Sequence, residues 1–145
     1  MLKSKVFIIT ILMFSLFLVA GCANGIENEE QKIKVQKRIG DENKYENYKE
    51  ITNNEQVQEV KQILDNVDWR TAKVDMAHPA DYRFVFQFKN PEIEAKALSY
   101  ELWISPNKDK VELVIDALSK YSQLNEQDSA VLFEILTGKK LSDLE

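Results

Sequence analysis

Residues 82–115 read YRFVFQFKNPEIEAKALSYELWISPNKDKVELVI, and this stretch decides the fold. Apolar and polar residues alternate in three runs, 82–88, 98–105 and 111–115, with the period of β-strands that bury one face. The connections between the runs contain Asn-Pro and Pro-Asn, which favour turns. Because a parallel crossover needs about a dozen residues or more, the short connections favour an antiparallel meander.

The first of these runs carries an aromatic stripe on one face. Its members are Tyr82, Phe84, Phe86 and Phe88. Aromatic side chains bury large apolar areas, so we expect this face in the core.

The sequence on either side of the meander adds helices and strands. Residues 54–66 have apolar residues at helical spacing, and a second helix is expected between Asn125, a favourable cap, and Gly138, a natural stop. Residues 33–39 and 45–51 predict two strands, and the segments 69–76 and 120–124 can add one each. We predict an α+β fold with an antiparallel sheet of about four to six strands, a central meander and two packed helices. Whether the first two strands join the main sheet stays open.

The N-terminus predicts export. Lys3 and Lys5 precede an apolar run, residues 6–19, which leads into Val19-Ala20-Gly21-Cys22. A charged start, an apolar middle and a small-residue end are typical of a signal peptide, and the cysteine directly after them resembles the lipidation site of a bacterial lipoprotein. An uncleaved signal anchor or plain secretion are the alternatives; the run is shorter than the ~20 residues that a membrane-spanning helix needs.

The predicted organisation is therefore a signal peptide over 1–21, a lipidated Cys22 with a polar tether over 22–32, and one domain over 33–145. A diacylglyceryl group carries two acyl chains, which anchor a protein stably where one does not. The expected location is the cell membrane, to which the protein is held by the lipid on Cys22. Since Cys22 is the only cysteine, the mature domain has no disulfide and no cysteine metal ligand.

The charge excludes one class of partner. The formal net charge is −5, and loss of the two lysines of the signal lowers it to −7. An acidic domain without a basic stripe gains nothing from counterion release, so we expect no binding to nucleic acid. We expect instead the membrane, through the lipid, and an envelope protein as partners.

Several runs carry a family resemblance: WRTAKVDM (69–76), PADY (79–82), YELWIS (100–105) and YSQL (121–124) through LTG (136–138). They resemble the YhfM-like lipoproteins of Gram-positive bacilli. The resemblance covers residues 51–144 and the lipobox. It implies a Gram-positive membrane, and so the outer face of the cytoplasmic membrane. It implies no catalytic residue, because the function of that family is unassigned.

Two kinds of reactive site are weakly indicated. Asp75, His78 and Asp81 are spaced at threes around the only histidine, a pattern that a metal-dependent hydrolase could use. His78 precedes Pro79, which favours an extended backbone, so a polar turn is the better interpretation. Zinc sites use three or four N or S ligands, which this chain does not supply. No serine has the setting of a nucleophile elbow, and no glycine-rich loop indicates a cofactor, so we expect no cofactor and no enzyme.

Trp103 is the candidate for binding. It points away from the face of Tyr100 and Leu102, and in simple register Val85 and Val114 share that second face. Either the face is covered by other elements, or Val85, Trp103 and Val114 form an exposed patch that marks a partner site. The sequence thus favours a membrane-anchored, non-catalytic binding or accessory module of the cell envelope. An inhibitor of an envelope enzyme is the alternative, and a small metal-dependent hydrolase is the less favoured one.

Overall fold

The computed structural model describes residues 29–145. Within that range an antiparallel sheet of seven strands, in the order β2-β1-β4-β5-β6-β7-β3, is packed on one face by two α-helices. The elements in chain order are β1 Gln31–Arg38, β2 Tyr45–Ile51, α1 Asn54–Asn66, β3 Arg70–Thr71, β4 Tyr82–Phe88, β5 Ser99–Ile104, β6 Val111–Ile115, β7 Lys120–Gln123 and α2 Glu126–Thr137. The predicted α+β class is confirmed.

The meander from β4 to β7 follows the predicted pattern. Leu102 pairs with Tyr82 on one side and with Leu113 on the other, so the apolar faces of the three strands align. The turn before β6 is closed by Ser105, whose hydroxyl donates to Asp109 Oδ1 at 2.8 Å and accepts from the Lys110 N–H at 3.0 Å. A short 3-10 helix, Asp116–Leu118, makes the last connection.

The strand count exceeds the prediction because both ends of the sheet gain strands. β1 pairs with β2 on one side and with β4 over Gln31 to Lys37 on the other, so the first two strands join the main sheet. Residues 69–76 contribute only the two-residue strand β3, paired with β7. β1 also starts at Gln31, so the last two residues of the predicted tether, 31 and 32, belong to the domain.

Both helices begin at an asparagine cap, and the cap of the second is the predicted Asn125. The Asn53 side chain accepts a hydrogen bond from the Gln56 N–H at the start of α1, and the Asn125 side chain accepts one from the Asp128 N–H at the start of α2. α2 ends at Gly138, whose φ of +74° is left-handed. α2 has no basic residue in its last turn, but Lys49 of β2 donates to the Ile135 carbonyl at 2.9 Å and supplies that charge.

The main core lies between the helices and one face of the sheet. Its fully buried members include Phe84 and Leu102 from the sheet and Val60, Leu132 and Phe133 from the helices. Burial of such side chains is worth roughly 1.5–3 kcal/mol each. The domain is therefore stabilised mainly on this face of the sheet.

Candidate ligand-binding cleft

A cleft forms where the sheet opens between β4 and β5. The pairing of these strands ends at Val85 opposite Ser99, whereas β4 runs three residues further. The chain between them, residues 90–98, leaves the sheet at a turn in which Asn90 Oδ1 accepts a hydrogen bond from the Glu92 N–H at 3.0 Å. The gap beside the end of β4, bordered by α1, encloses a cleft of about 710 Å³.

Apolar and aromatic side chains line most of this cleft. They come from α1, from the end of β4, from the 90–98 loop and from the start of β5: Leu64, Phe86, Phe88, Ile93, Leu98 and Tyr100. Leu98 is 36 % exposed, and Phe86 and Phe88 are half-buried. The cleft thus presents apolar surface to solvent.

Four aromatic rings hold the wall of the cleft in place. Tyr100 stacks on Phe84 with ring centroids 4.9 Å apart and planes at 11°. The Phe86 ring meets Tyr100 edge-on at 6.0 Å, and Trp69 is tilted against Tyr100 at 6.4 Å. Such offset and edge-to-face pairs add about 0.5–1.5 kcal/mol each beyond their buried area. The Trp69 indole N–H donates to the Leu64 carbonyl at 3.1 Å, which joins this wall to α1.

The rim of the cleft carries both signs of charge. Lys61 and Asp65 lie on α1, and Glu94 and Lys96 lie on the loop opposite. Lys61 Nζ is 5.9 Å from the Phe86 ring centroid, within the range of a cation–π contact. Burial raises the pKa of Tyr100, and the nearby Asp65 carboxylate raises it further, so this hydroxyl stays neutral at physiological pH. The rim offers two cations and two anions and so no excess charge.

The chemistry of the lining points to binding. No Ser, Thr, Cys or His is among the described residues that line the cleft. A concave, mainly apolar site with a few polar groups is the usual form of a small-molecule pocket, and ~300–1,000 Å³ is its usual size. The cleft is therefore a candidate site for a ligand.

The cleft was missed at the level of sequence because its aromatic residues were assigned to the core. Tyr82 and Phe84 are buried as expected, but Phe86 and Phe88 lie beyond the last pair with β5 and are only half-covered. One feature of the sequence could have indicated the cleft. The aromatic stripe continues up to Asn90-Pro91, which ends the strand, and a long segment with its own apolar residues follows.

Trp103 is covered and is not part of an exposed patch. Trp103 and Val114 are 5 % and 8 % exposed and pack together with Ala80. The chain between β3 and β4 folds over them with Val74 and Met76, and the Trp103 indole N–H donates to the His78 carbonyl at 2.7 Å. Of the two interpretations of this face, the structure supports the covered one.

Val85 shares a face of the sheet with Trp103 and Val114 but lies apart from them. It pairs with Ser99 of β5, four residues from Trp103, and with Lys34 of β1. As the simple register predicts, Val85 lies on the face of Trp103, because Ser99 and Trp103 are an even number of residues apart on β5, but the two side chains are too far apart along the strand to adjoin. Val85, Trp103 and Val114 therefore form no common binding surface.

A polar hollow beside Trp103 carries paired charges. Arg83 forms an ion pair with Glu101 at 2.7 Å, donates to Asn43 Oδ1 at 3.0 Å and lies 3.9 Å from the Tyr45 ring centroid. Its Nε is buried without a hydrogen-bond partner among the described residues. Arg83 and Glu101 neutralise each other, and Asp116 also lines the hollow, so its described residues offer no unpaired Arg or Lys to an anionic ligand.

The candidate metal ligands Asp75, His78 and Asp81 do not share a site. One oxygen of the Asp81 carboxylate pairs with Arg38 at 3.1 Å and the other accepts from the Ile104 N–H at 2.9 Å. His78 Nδ1 lies 2.8 Å from the Pro79 carbonyl, and Asp75 is exposed. Within residues 29–145, no three His, Cys, Asp or Glu side chains gather as metal ligands. The sequence spacing of these three residues does not form one site.

The predicted lipidation site, Cys22, lies outside the described residues, as do the signal peptide and most of the tether. Across residues 29–145, the helices are too short or too polar to cross a membrane.

Comparison with known proteins assigns the family. A family model described as YhfM protein matches residues 26–142. The chain belongs to the YhfM protein family. This match confirms the predicted resemblance, and it includes every strand and helix described above. No curated protein matches the sequence of the chain.

A solved structure shares the fold. The crystal structure of a thioesterase-like protein from Clostridium sporogenes ATCC 15579 is similar with a TM-score of 0.55 and 12 % sequence identity. The similarity covers 74 % of this chain and 94 % of that protein. At this identity the likeness concerns the arrangement of sheet and helices only.

Proposed function

We propose that this member of the YhfM family is a lipid-anchored binding module of the cell envelope, and that its ligand site is the aromatic cleft. The single observation that carries the binding role is the cleft of about 710 Å³, whose rings are fixed by one another and whose apolar side chains face solvent. Exposed apolar surface in a concave site is costly unless something covers it. A ligand in the cleft would provide that cover.

The anchor is supported by the sequence Val19-Ala20-Gly21-Cys22 after an apolar run. We propose that Cys22 carries a diacylglyceryl group and that residues 23–30 join it to the domain, on the outer face of the cytoplasmic membrane. With a net charge of −7 after signal removal, the domain gains no attraction from anionic head groups, so the lipid on Cys22 is what holds it at the membrane. The lipid therefore sets where the protein is, and the cleft sets what it binds.

A non-catalytic role is proposed because the described residues that line the cleft include no Ser, Thr or Cys nucleophile and no histidine. The structural neighbour is titled thioesterase-like, and that title belongs to the neighbour. The carboxylates at the rim, Asp65 and Glu94, are the groups in the cleft that a hydrolytic reaction would have to employ. Turnover of an acyl thioester by the purified protein, lost in Asp65→Asn, would overturn the non-catalytic role.

The anchor is tested by metabolic labelling of producing cells with an alkyne fatty acid. We expect label on the wild-type protein and none on Cys22→Ala, with the wild-type domain cleaved by protease added to intact cells. Label-free wild-type protein, or a domain protected from the protease, would contradict the proposed anchor or its side of the membrane.

A further inference from the structure

The chain enters the domain beside the cleft and is fixed there. The Glu30 carbonyl accepts from the Lys89 N–H at 2.8 Å, directly after β4. The Glu30 carboxylate accepts from Lys89 Nζ at 2.9 Å and from Asn54 Nδ2 at 2.8 Å, and Lys89 Nζ also donates to Asn54 Oδ1 at 2.8 Å. The hydrogen bonds from Lys89 and from the neighbouring Asn54 lower the pKa of Glu30, which favours its charged, bonded form. This network joins the entry point to the end of β4 and the start of α1.

The entry point and the cleft are continuous. Gln31, the first residue of β1, lines the cleft, and so do Phe88, Asn90 and Pro91 around the Lys89 anchor. Gln31 is nine residues after Cys22. Nine residues reach at most about 30 Å even when fully extended. A lipid on Cys22 would therefore hold the aromatic cleft close to the surface of the bilayer.

We propose that the ligand of the cleft is the hydrocarbon chain of an amphiphile drawn from the outer leaflet of that membrane. This inference rests on the proposed function, because it takes the anchor at Cys22 and the cleft as the binding site. The floor of the cleft is made of rings and aliphatic groups, which gain roughly 25 cal/mol for each Å² of apolar surface removed from water. An alkyl chain can cover the half-exposed rings of Phe86 and Phe88 and the exposed side chain of Leu98.

The charges favour a particular head group. The rim sets Lys61 and Lys96 against Asp65 and Glu94, so it attracts neither a pure anion nor a pure cation. The whole domain is acidic and repels anionic head groups. The amphiphile that fits is therefore one with an uncharged or zwitterionic head and a hydrocarbon chain long enough to cross the cleft.

The test uses the mature, lipidated protein in vesicles of phosphatidylcholine in which a fraction of the lipid carries a diazirine in one acyl chain. After illumination, adducts are mapped by mass spectrometry. We expect them on the peptides that contain residues 86–88 and 93–100. Adducts spread evenly over the surface, or confined to residues 23–29, would overturn the inference.

Two leucines offer a matched pair of variants. Leu98 is 36 % exposed at the cleft, and Leu118 is 49 % exposed on the 3-10 helix between β6 and β7. Leu98→Lys is expected to lower the cleft adducts at least five-fold, whereas Leu118→Lys leaves them unchanged. Circular dichroism checks folding, and Leu98→Gln, with a smaller effect in the same direction, serves if the lysine variant unfolds. Equal adducts in the two lysine variants would contradict the inference.

A further arm separates this inference from the proposed anchor. Cys22→Ala protein is illuminated with a zwitterionic single-chain lipid, a lysophosphatidylcholine that carries a diazirine, in solution. If the alkyne label is absent from wild-type Cys22 but this lipid still labels the cleft, the anchor fails and the recognition of an alkyl chain stands. If Cys22 carries lipid but neither probe reaches the cleft, the anchor stands and the inference fails.

Discussion

Replacing Trp103 by alanine is expected to destabilise the domain by about 3–5 kcal/mol, the usual cost of removing a large buried aromatic side chain. Trp103 is 5 % exposed, packs on Ala80 and Val114, and donates its indole N–H to the His78 carbonyl at 2.7 Å. Its removal would take away the support under the chain between β3 and β4. We therefore expect faster amide hydrogen exchange in residues 72–80 as well as a lower free energy of unfolding.

Trp103→Phe separates the contribution of the packed ring from that of the indole hydrogen bond. This variant keeps most of the apolar ring and loses the N–H donor. Because His78 is exposed, water can reach its carbonyl, and we expect a loss of only about 0.5–1.5 kcal/mol, the net worth of one hydrogen bond.

The assay is urea denaturation of the chain from residue 22 with Cys22→Ser, and Leu118→Ala is the control. Leu118 is 49 % exposed, so its truncation should change stability by no more than about 0.5 kcal/mol. A Trp103→Ala variant as stable as this control would refute the assignment of Trp103 to a second, covered core and would restore it as a surface residue.

Three further predictions follow from particular contacts. Lys49→Met should lower the free energy of unfolding, measured in urea, by about 1 kcal/mol, because Lys49 donates to the Ile135 carbonyl at the negative end of α2. Lys44→Met removes only an exposed ion pair with Glu42 and should lower it by less than about 0.5 kcal/mol. Equal losses would contradict the capping role of Lys49. Asp81→Asn should lower the free energy of unfolding by about 1–3 kcal/mol, because the two carboxylate oxygens bind Arg38 and the Ile104 N–H, whereas His78→Ala should be nearly neutral. A thermal midpoint that rises with added Zn²⁺ in the wild type, and no longer does so in either variant, would instead indicate a metal site. Burial, and to a lesser extent the neighbouring Tyr48 and Asp81, raise the pKa of Tyr82 from 10.0 to about 12. Because the Tyr82 hydroxyl of the unfolded chain then ionises at a lower pH than that of the folded domain, the free energy of unfolding should fall as the pH rises from 10 to 12. Tyr82→Phe should lessen this fall, and an unchanged dependence on pH would count against the buried environment of the hydroxyl.

The parts of the fold that were predictable from sequence are those set by local pattern. The helix over 54–66 was predictable because its apolar residues form a single stripe at helical spacing, and the meander because the turn residues and the alternation agree. The joining of β1 to β4 was not predictable, since it pairs residues about fifty positions apart and neither strand carries a signal for its partner. The separation of Val85 from Trp103 was also out of reach, because the alternation predicts the face that they share but not which residues of β4 and β5 pair.

The cleft illustrates the same limit for function. Phe86 and Phe88 have the same period as Tyr82 and Phe84, so the sequence gives them the same role. Only the tertiary structure shows that β5 starts too late to cover them, and that difference turns the end of a core face into a candidate site. Trp103 is the converse case, in which a residue on the nominally exposed face is covered by a loop without regular structure.

The most direct test of the central claim is site-specific photo-crosslinking in living cells, with a photoreactive amino acid at position 98 of the full-length protein and at position 118 in a parallel strain. If the cleft is the binding site, position 98 acquires a discrete adduct whose mass shift corresponds to a bound amphiphile, and position 118 acquires none. No adduct at position 98 in protein that still folds and reaches the membrane, or the same adducts at both positions, would contradict the account.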